Sequence, residues 1–375
     1  MTDRETLYTA ALTRMNHFHL AGLLYLYREM GSATAVVENR HRLKELLPDA
    51  SPRLMEGLAH IDEALKRAEN ELEYDEANGI QAIAMNDARY PARLRECDDA
   101  PLMLFYKGNA DLNQRRIVSI VGTRHITAYG QDVTRRFVND LKQLCPQVLI
   151  VSGMAYGVDI NAHRSALDNS YETVAVLAHG LDCLYPPRHK PTAQQMLDRG
   201  GLLTEFFTQT NADKLNFVRR NRIVAGMSDA CLLVESAAHG GGLITARLAR
   251  DYHRDVFAFP GRIGDPYSEG CNRLIRDNGA ALITSAHDFV KAMGWEEDAA
   301  RLKAGREGIE RQLFPQLSAE EQAVVAALGR QNDVQINRLA VLSNLPIGQL
   351  AALLFELEMK GVVKPLAGGV YHLLG

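Results

Sequence analysis

The chain has 375 residues, enough for two or three domains at about 100–200 residues each. Its 46% hydrophobic and 23% charged residues are ordinary for a globular protein and supply a sizeable core. A net charge of −4 excludes a histone-like or tail-driven polyanion binder, so any anion site has to be a local basic pocket.

Residues Met1 to Leu20 mix charged, polar and apolar side chains. They lack the basic start and apolar stretch of a secretory signal. No apolar run approaches the ~18 residues of a membrane helix, which together points to the cytoplasm. Over residues 1–75 the spacing predicts helices: Leu20, Leu23, Leu24 and Leu26, then Leu43, Leu46 and Leu47, then Leu58, Ile61 and Leu65. Gly31-Ser32 and Leu47-Pro48 punctuate this unit, and charges accumulate from Asp62 to Glu76. A second domain is expected over 76–297. It opens with a connector in which Ile80–Met85 and Leu102–Tyr106 read as strands, with turns at Tyr90-Pro91 and Ala100-Pro101.

Short apolar runs follow at Ile117–Val121, Val148–Val151, Val174–Leu177, Gly201–Thr204, Cys231–Val234, Val256–Phe259 and Ala280–Ile283. Most lead through a glycine or small polar turn into a helical pattern. This strand-then-helix alternation predicts an α/β fold, a mostly parallel Rossmann-like sheet with helices on both faces. Residues 298–315 are polar and read as a linker, and 316–375 as a separate unit. There, helical patterns over Glu320–Leu328, Ile336–Ser343 and Ile347–Lys360 precede a hairpin turning at Gly368-Gly369, which spells a winged helix. The cysteines Cys97, Cys145, Cys183, Cys231 and Cys271 are scattered, odd in number and form no C-x-x-C pair. They read as free thiols rather than as a disulfide framework or a zinc site.

Four glycine-bearing turns follow predicted strands: Gly122-Thr123-Arg124; Ser152-Gly153 with Tyr156-Gly157; His179-Gly180; and Gly240-Gly241-Gly242 with Thr245. In an open parallel sheet such turns lie along one edge, at the carboxyl ends of the strands, where ligands bind. Glycine lets a phosphate approach the backbone, and the next helix N-terminus presents free N–H groups. No turn is a strict G-x-G-x-x-G opening a helix and there is no G-x-x-x-x-G-K-[ST], which disfavours a dinucleotide or ATP site. No cofactor is expected.

The most pointed segment runs from Asn216 to Gly226. It places Arg219, Arg220 and Arg222 beside Phe217 and Asn221, near the front of a helix. Cations there oppose the helix dipole, so a structural role does not favour them. Arginines with an aromatic platform suit sequence-tolerant binding of a single strand, since guanidinium groups both pair with phosphate and stack. Asp159, Asp182, Glu205 and Glu235 lie near strand ends on different turns without a metal-ligand spacing, and read as capping or arginine-pairing groups. His163 and His179 read as structural, and Trp295 as packing.

In this order, the motifs resemble the DprA/Smf family. They are Gly122-Thr123-Arg124, Ser152 to Asp159 with Ala162-His163, and Gly180-Leu181-Asp182 with Tyr185-Pro186. Phe217 to Ser228, Gly241 to Ala246, Phe259-Pro260-Gly261, and Gly270 to Ile275 with Gly279-Ala280 continue the series. The resemblance implies a SAM-like helical unit over 1–75, an extended Rossmann domain that binds single-stranded DNA, and dimerisation through that domain. It also implies delivery of DNA to the RecA recombinase in natural transformation. Carried over by position, the pocket comprises Gly122, Thr123, Arg124, Ser152, Gly153, Tyr156, Gly157, Phe217, Arg219, Asn221, Arg222, Gly241, Gly242 and Thr245. The chain departs from the family at Gly240-Gly241-Gly242, where serine-glycine-serine is frequent, and at Met15 to His19, where a glycine-rich helix-hairpin-helix turn is expected.

The alternative is a nucleotide hydrolase of the phosphoribohydrolase type, which carries a G-G-x-G-T-x-x-E motif. Leu248 occupies the position of its catalytic glutamate and can neither move a proton nor stabilise positive charge. The residues thus favour a protein without catalytic or metal-binding groups. A duplex-reading winged helix is a third possibility. Over 318–375, however, Arg330, Arg338, Lys360 and Lys364 are outnumbered by Glu320, Glu321, Asp333, Glu356 and Glu358. An acidic module is repelled by a phosphate backbone, which favours a protein-contact or spacer role.

Overall fold

A computed structural model describes residues 3–15, 20–47, 52–296, 317–366 and 369–374. The chain divides into two compact units, Met1–Ala299 and Ala300–Gly375. The first begins with helices α1 (Arg4–Thr13), α2 (Leu20–Met30), α3 (Ala33–Glu38), α4 (Leu43–Leu46), α5 (Pro52–Ala59) and α6 (Ile61–Asn78). Polar caps fix where they start and stop. The Ser32 hydroxyl accepts from Ala35 N at the start of α3. The Glu5 carboxylate, reaching over from α1, accepts from Ala33 N at 2.7 Å and Thr34 N at 2.8 Å. A carboxylate on a helix N-terminus satisfies free N–H groups and complements the dipole. Helix α6 ends at Gly79, which adopts the left-handed conformation (φ 66°).

The expected boundary at 75/76 falls inside α6. The physical reason is shared burial. Leu24, Leu43, Leu58 and Ile61 from the helices join Ile83, Leu104 and Phe105 from the first strands in one hydrophobic cluster. The helices and the sheet are therefore one compact unit. The segment Asn16 to His19 lies outside the described residues.

The sheet contains β1 (Gln81–Ala84), β2 (Met103–Gly108), β3 (Ile117–Val121), β4 (Leu149–Ser152), β5 (Thr173–Val176), β6 (Gly200–Thr204), β7 (Ala230–Leu233), β8 (Asp255–Ala258) and β9 (Ala281–Leu282). Their order is β1-β2-β6-β5-β4-β3-β7-β8-β9. Only β1–β2 and β2–β6 pair antiparallel. From β6 to β9 every pairing is parallel. Each predicted strand is present, shifted by a residue or two at its ends. Every residue of β3, β4, β5 and β7 is buried, which explains their unbroken apolar runs.

Helices α8 (Ala128–Leu144), α9 (Val158–Asp168) and α14 (Ala286–Ala292) cover one face through Phe137, Leu141, Ala162 and Phe289. Helices α11 (Lys214–Gly226) and α12 (Gly241–Asp251) join the N-terminal helices on the other through Ile223, Val224, Ala246 and Ala249. Helices α7 (Ala92–Arg95), α10 (Lys190–Asp198) and α13 (Glu269–Arg276) also belong to the unit. The chain leaves β3 toward β4, β5 and β6, then returns to the other side of β3 as β7 and continues to β8. The crevice between the β3 and β7 turns is therefore the topological switch point.

The second unit has helices over Ala319–Arg330, Ile336–Ser343 and Ile347–Met359. A three-stranded sheet adds β10 (Val334–Gln335), β11 (Val363–Leu366) and β12 (Val370–Leu373) in the order β10-β12-β11. This is a winged helix. Ser318 and Glu321 form a capping box at its first helix. Leu328, Leu339, Leu350, Leu354, Leu357 and Val363 form its own core. The two-residue strand β10 has no counterpart in the hydrophobic pattern. The expected linker, 298–315, and Gly368 of the expected turn lie outside the described residues. No single helix among the described residues is long and apolar enough to cross a membrane.

Candidate functional site

The carboxyl ends of β3, β4 and β7 surround a cleft of about 640 Å3. Hydrogen bonds between its turns hold it open. Thr123 N donates to Glu235 O at 2.7 Å, joining the β3 and β7 turns. Val158 N donates to Thr123 O at 3.1 Å, joining α9 to the same turn. The Glu235 carboxylate accepts from Thr127 N at 2.8 Å and Thr127 Oγ1 at 2.6 Å, which anchors the start of α8. The threonine thus caps the helix while its own hydroxyl is held by the carboxylate.

Most of the glycines serve close packing. A Cβ on Gly122 would stand 2.5 Å from Val158 Cγ2 and 2.8 Å from Glu235 O. One on Gly242 would lie 2.7 Å from Leu233 Cδ1 and 2.9 Å from Gly122 Cα, so these two glycines pack back to back. Gly153 lies directly under the Arg220 guanidinium. Gly157 has φ +78°, as the turn into α9 requires. Gly241 differs: a Cβ there would meet nothing within 4 Å. It is the first residue of α12, where free N–H groups face the opening.

The cationic side chains come mainly from α11. Lys214, Phe217, Arg220, Asn221 and Val224 recur at helical spacing and face the cleft. Arg220 is only 3% exposed and donates through Nη1 to Val176 O. Burial lowers its pKa to about 10, with Asp159 opposing and Arg124 adding to the shift. Asp159 in turn is raised by burial, against the pull of Arg220. Arg124 reaches in from the β3 turn and lies over the Phe217 ring, 4.8 Å from its centroid. Tyr185 meets the same ring edge-on at 5.9 Å. Among the residues lining the cleft, Arg124, Lys214 and Arg220 stand against the single carboxylate of Asp159. The cleft is thus locally basic although the chain carries −4 overall.

Of the residues expected here, Gly122, Thr123, Arg124, Gly153, Phe217, Asn221, Gly241, Gly242 and Thr245 line the cleft. The others do not. The Ser152 hydroxyl is spent within the sheet, donating to Ile120 O at 2.6 Å. Tyr156 packs edge-on against His189, and Gly157 shapes the turn. Arg219 and Arg222 leave the far side of α11 and line a separate cavity with Glu205. The expected pairing of these two arginines with Phe217 as one clamp is corrected accordingly. They lie two and five positions from Phe217, which places them away from it on a helix, whereas Arg220 lies three positions on. Helical periodicity alone could have picked out Arg220 and Lys214. His125, His239 and Tyr267 also line the cleft and carried no signal in the sequence.

The remaining polar groups have structural partners. Glu205 pairs with Arg222 at 2.5 Å, and Asp182 accepts from Gln209 N at 2.9 Å. Burial drives the His163 pKa down to about 3, and its Nδ1 lies 2.7 Å from Thr173 Oγ1. His179 accepts through Nε2 from Tyr185 N at 3.1 Å. Among the described residues, no three His, Cys, Asp or Glu side chains converge as a metal-ligand set. Leu248, at the hydrolase-glutamate position, packs against the core.

Comparison with known proteins matches residues 81–294 to the family described as DNA recombination-mediator protein A, and residues 310–369 to the DprA winged helix domain. The chain is 35% identical over 313 residues to the putative DNA processing protein DprA of Mycobacterium tuberculosis, covering 80% of this chain and 79% of that protein. It is 33% identical over 316 residues to protein Smf of Escherichia coli K12, covering 82% and 81%. Among solved structures, DprA of Streptococcus pneumoniae superposes with a TM-score of 0.58 at 32% identity, over 72% of this chain and 97% of that one. DprA of Helicobacter pylori, described for its single-stranded DNA binding mode, superposes with a TM-score of 0.52 at 28% identity, over 57% and 95%. On its sheet domain, its winged helix and its curated relatives alike, the chain belongs to the DprA/Smf family of DNA processing proteins.

Proposed function

We propose that this protein binds single-stranded DNA in the switch-point cleft, without strong sequence preference, and helps to load RecA onto that DNA during transformation and recombination. The observation that carries the binding step is the local reversal of charge. Arg124, Lys214 and Arg220 converge around an aromatic ring beside an open helix N-terminus, in a chain of net negative charge. Phosphates are drawn to the cations and to the free N–H groups at Gly241. An unstacked base stacks on the flat pair made by Phe217 and Arg124. Neither contact reads a base edge, so the cleft discriminates strandedness rather than sequence. The Helicobacter pylori relative supports the DNA partner.

Family membership supports RecA as partner, a homodimer through the sheet domain and a cytoplasmic location as parts of this reading. A non-enzymatic role agrees with Leu248 at the hydrolase-glutamate position. Fluorescence anisotropy with single- and double-stranded oligonucleotides of equal length tests the binding step. Single strands should bind more tightly. Replacing Arg124 and Lys214 by alanine should flatten the salt dependence by about 1.4, from ~0.7 per phosphate contact. Equal affinity for duplex, or an unchanged slope in a folded double variant, would sink the assignment.

A further inference from the structure

The far side of α11 holds a second cavity, of about 370 Å3, between the N-terminal helices and the segments where β2 begins and β6 ends. Its charged lining is Arg14, Arg219, Arg222 and Glu205. Only one of the three arginines is neutralised. Arg222 pairs with Glu205, and both are deeply buried, with side-chain exposures of 9% and 14%. Even this pair is incomplete: Arg222 Nη1 and Glu205 Oε1 are buried without a hydrogen-bond partner among the described residues. Arg14 lies 5.2 Å from the centroid of the Phe207 ring and makes no ion pair within 4.0 Å among the described residues. Burial first, and then the nearby Arg67, lower its pKa against an opposing pull from Glu71. Arg219 makes no hydrogen bond or ion pair among the described residues. The lining therefore carries a formal excess of two positive charges, on the exposed Arg14 and Arg219, around a buried ion pair.

The rest of the lining is mostly apolar and includes Leu23, Met103 and the ring of Phe206. A cavity whose lining combines cations with apolar and aromatic side chains fits a ligand with an anionic head and a flat body. Its volume falls in the range of small-molecule sites, roughly 300–1,000 Å3, and suits a single nucleotide rather than a strand.

We propose that this cavity binds one nucleotide, its phosphate held by Arg14 and Arg219 and its base against Phe206, at a site distinct from the switch-point cleft. Two sources present this chemistry: a free mononucleotide, or the 5′-phosphorylated end of a DNA strand.

Isothermal titration calorimetry of the full chain with dAMP tests it, with deoxyadenosine as the phosphate-free control. The expected result is binding of dAMP and none of deoxyadenosine. Arg219→Ala, an exposed position, should weaken binding by about tenfold or more, as for loss of a charge-assisted hydrogen bond. Arg14→Gln combined with Arg219→Ala should abolish it at an unchanged melting temperature. Arg124→Ala and Phe217→Ala should leave it intact, since they line the other cleft. If a 5′-phosphorylated oligothymidylate displaces dAMP and its 5′-hydroxyl counterpart does not, the ligand is a strand end. If neither displaces it, the ligand is a free nucleotide. Absence of dAMP binding, survival of binding in Arg219→Ala, loss of binding in Phe217→Ala, or equal displacement by both oligonucleotides would each overturn the proposal.

Discussion

The two sides of α11 use charge in opposite ways. Toward the switch point, Arg220 and Asp159 lie beneath a surface from which Lys214 and Arg124 reach outward, and the backbone turns are packed glycine against glycine. Toward the N-terminal helices, the buried charge is paired inward, with Arg14 and Arg219 left at the cavity surface. Arg222 pairs with Glu205, and Arg67 donates to Glu71 at 2.8 Å. Glu71 also accepts from Thr208 N at 2.6 Å, and Asp75 sits buried one turn further along α6. The difference teaches that one helix can present mostly unpaired cations on one side while, on the other, buried ion pairs fix a helical unit to the sheet. Removing a buried partner should cost stability, whereas removing an exposed cation or ring should cost binding.

The largest effect is expected on the inward side. Arg222→Ala leaves Glu205 buried without its counter-charge, and should destabilise the first unit by about 3–5 kcal/mol in chemical denaturation. A loss below about 1 kcal/mol would mean that the pair behaves as a solvated surface bridge, and the contrast between the two sides would fail. On the outward side, Phe217→Ala should leave stability nearly unchanged while weakening single-strand binding by about 1–3 kcal/mol, the value of one stacked base. Unchanged affinity in anisotropy would remove Phe217 from the site.

A pH titration sharpens the comparison further. Burial, reinforced by Glu71 and opposed by Arg67, raises the Asp75 carboxyl from 3.8 to about 8. The folded state therefore holds a proton that the unfolded chain releases, so stability should decline as pH rises between about 4 and 8 and level off above. Asp75→Asn should remove that decline and raise the melting temperature at pH 8. If the wild-type and variant melting curves run parallel across this range, the carboxyl is already ionised in the fold.

The smallest effect is expected from the winged helix. Its helix Ile347–Met359 buries Leu350, Leu353, Leu354 and Leu357 in its own core and exposes Glu356 and Glu358. Deleting residues 312–375 should leave single-strand affinity within a few-fold. A loss of about 100-fold in a stable truncation would show that the module holds DNA after all.

The strands of the sheet were legible in the sequence alone. Its buried parallel strands are hydrophobic on both faces, so Ile117–Val121 and its companions stand out as short runs whose order already implies strand-then-helix alternation. The glycine turns were legible as well, because a turn at a strand end can be located without knowing what packs against it. Their roles were not legible. Whether Gly122 and Gly242 face a ligand or each other depends on how β3 and β7 lie side by side, a pairing between residues more than one hundred positions apart. Likewise Arg219, Arg220 and Arg222 form one basic cluster in the sequence. Tertiary structure sends Arg220 to the cleft floor, Arg222 to Glu205 and Arg219 to the second cavity, because the 3.6-residue period of α11 turns neighbours in sequence toward different surroundings. The domain boundary at 75/76 fared the same way. Composition changes there, but the apolar faces of the N-terminal helices and of β1 and β2 are buried against one another, and only the fold reveals that shared core.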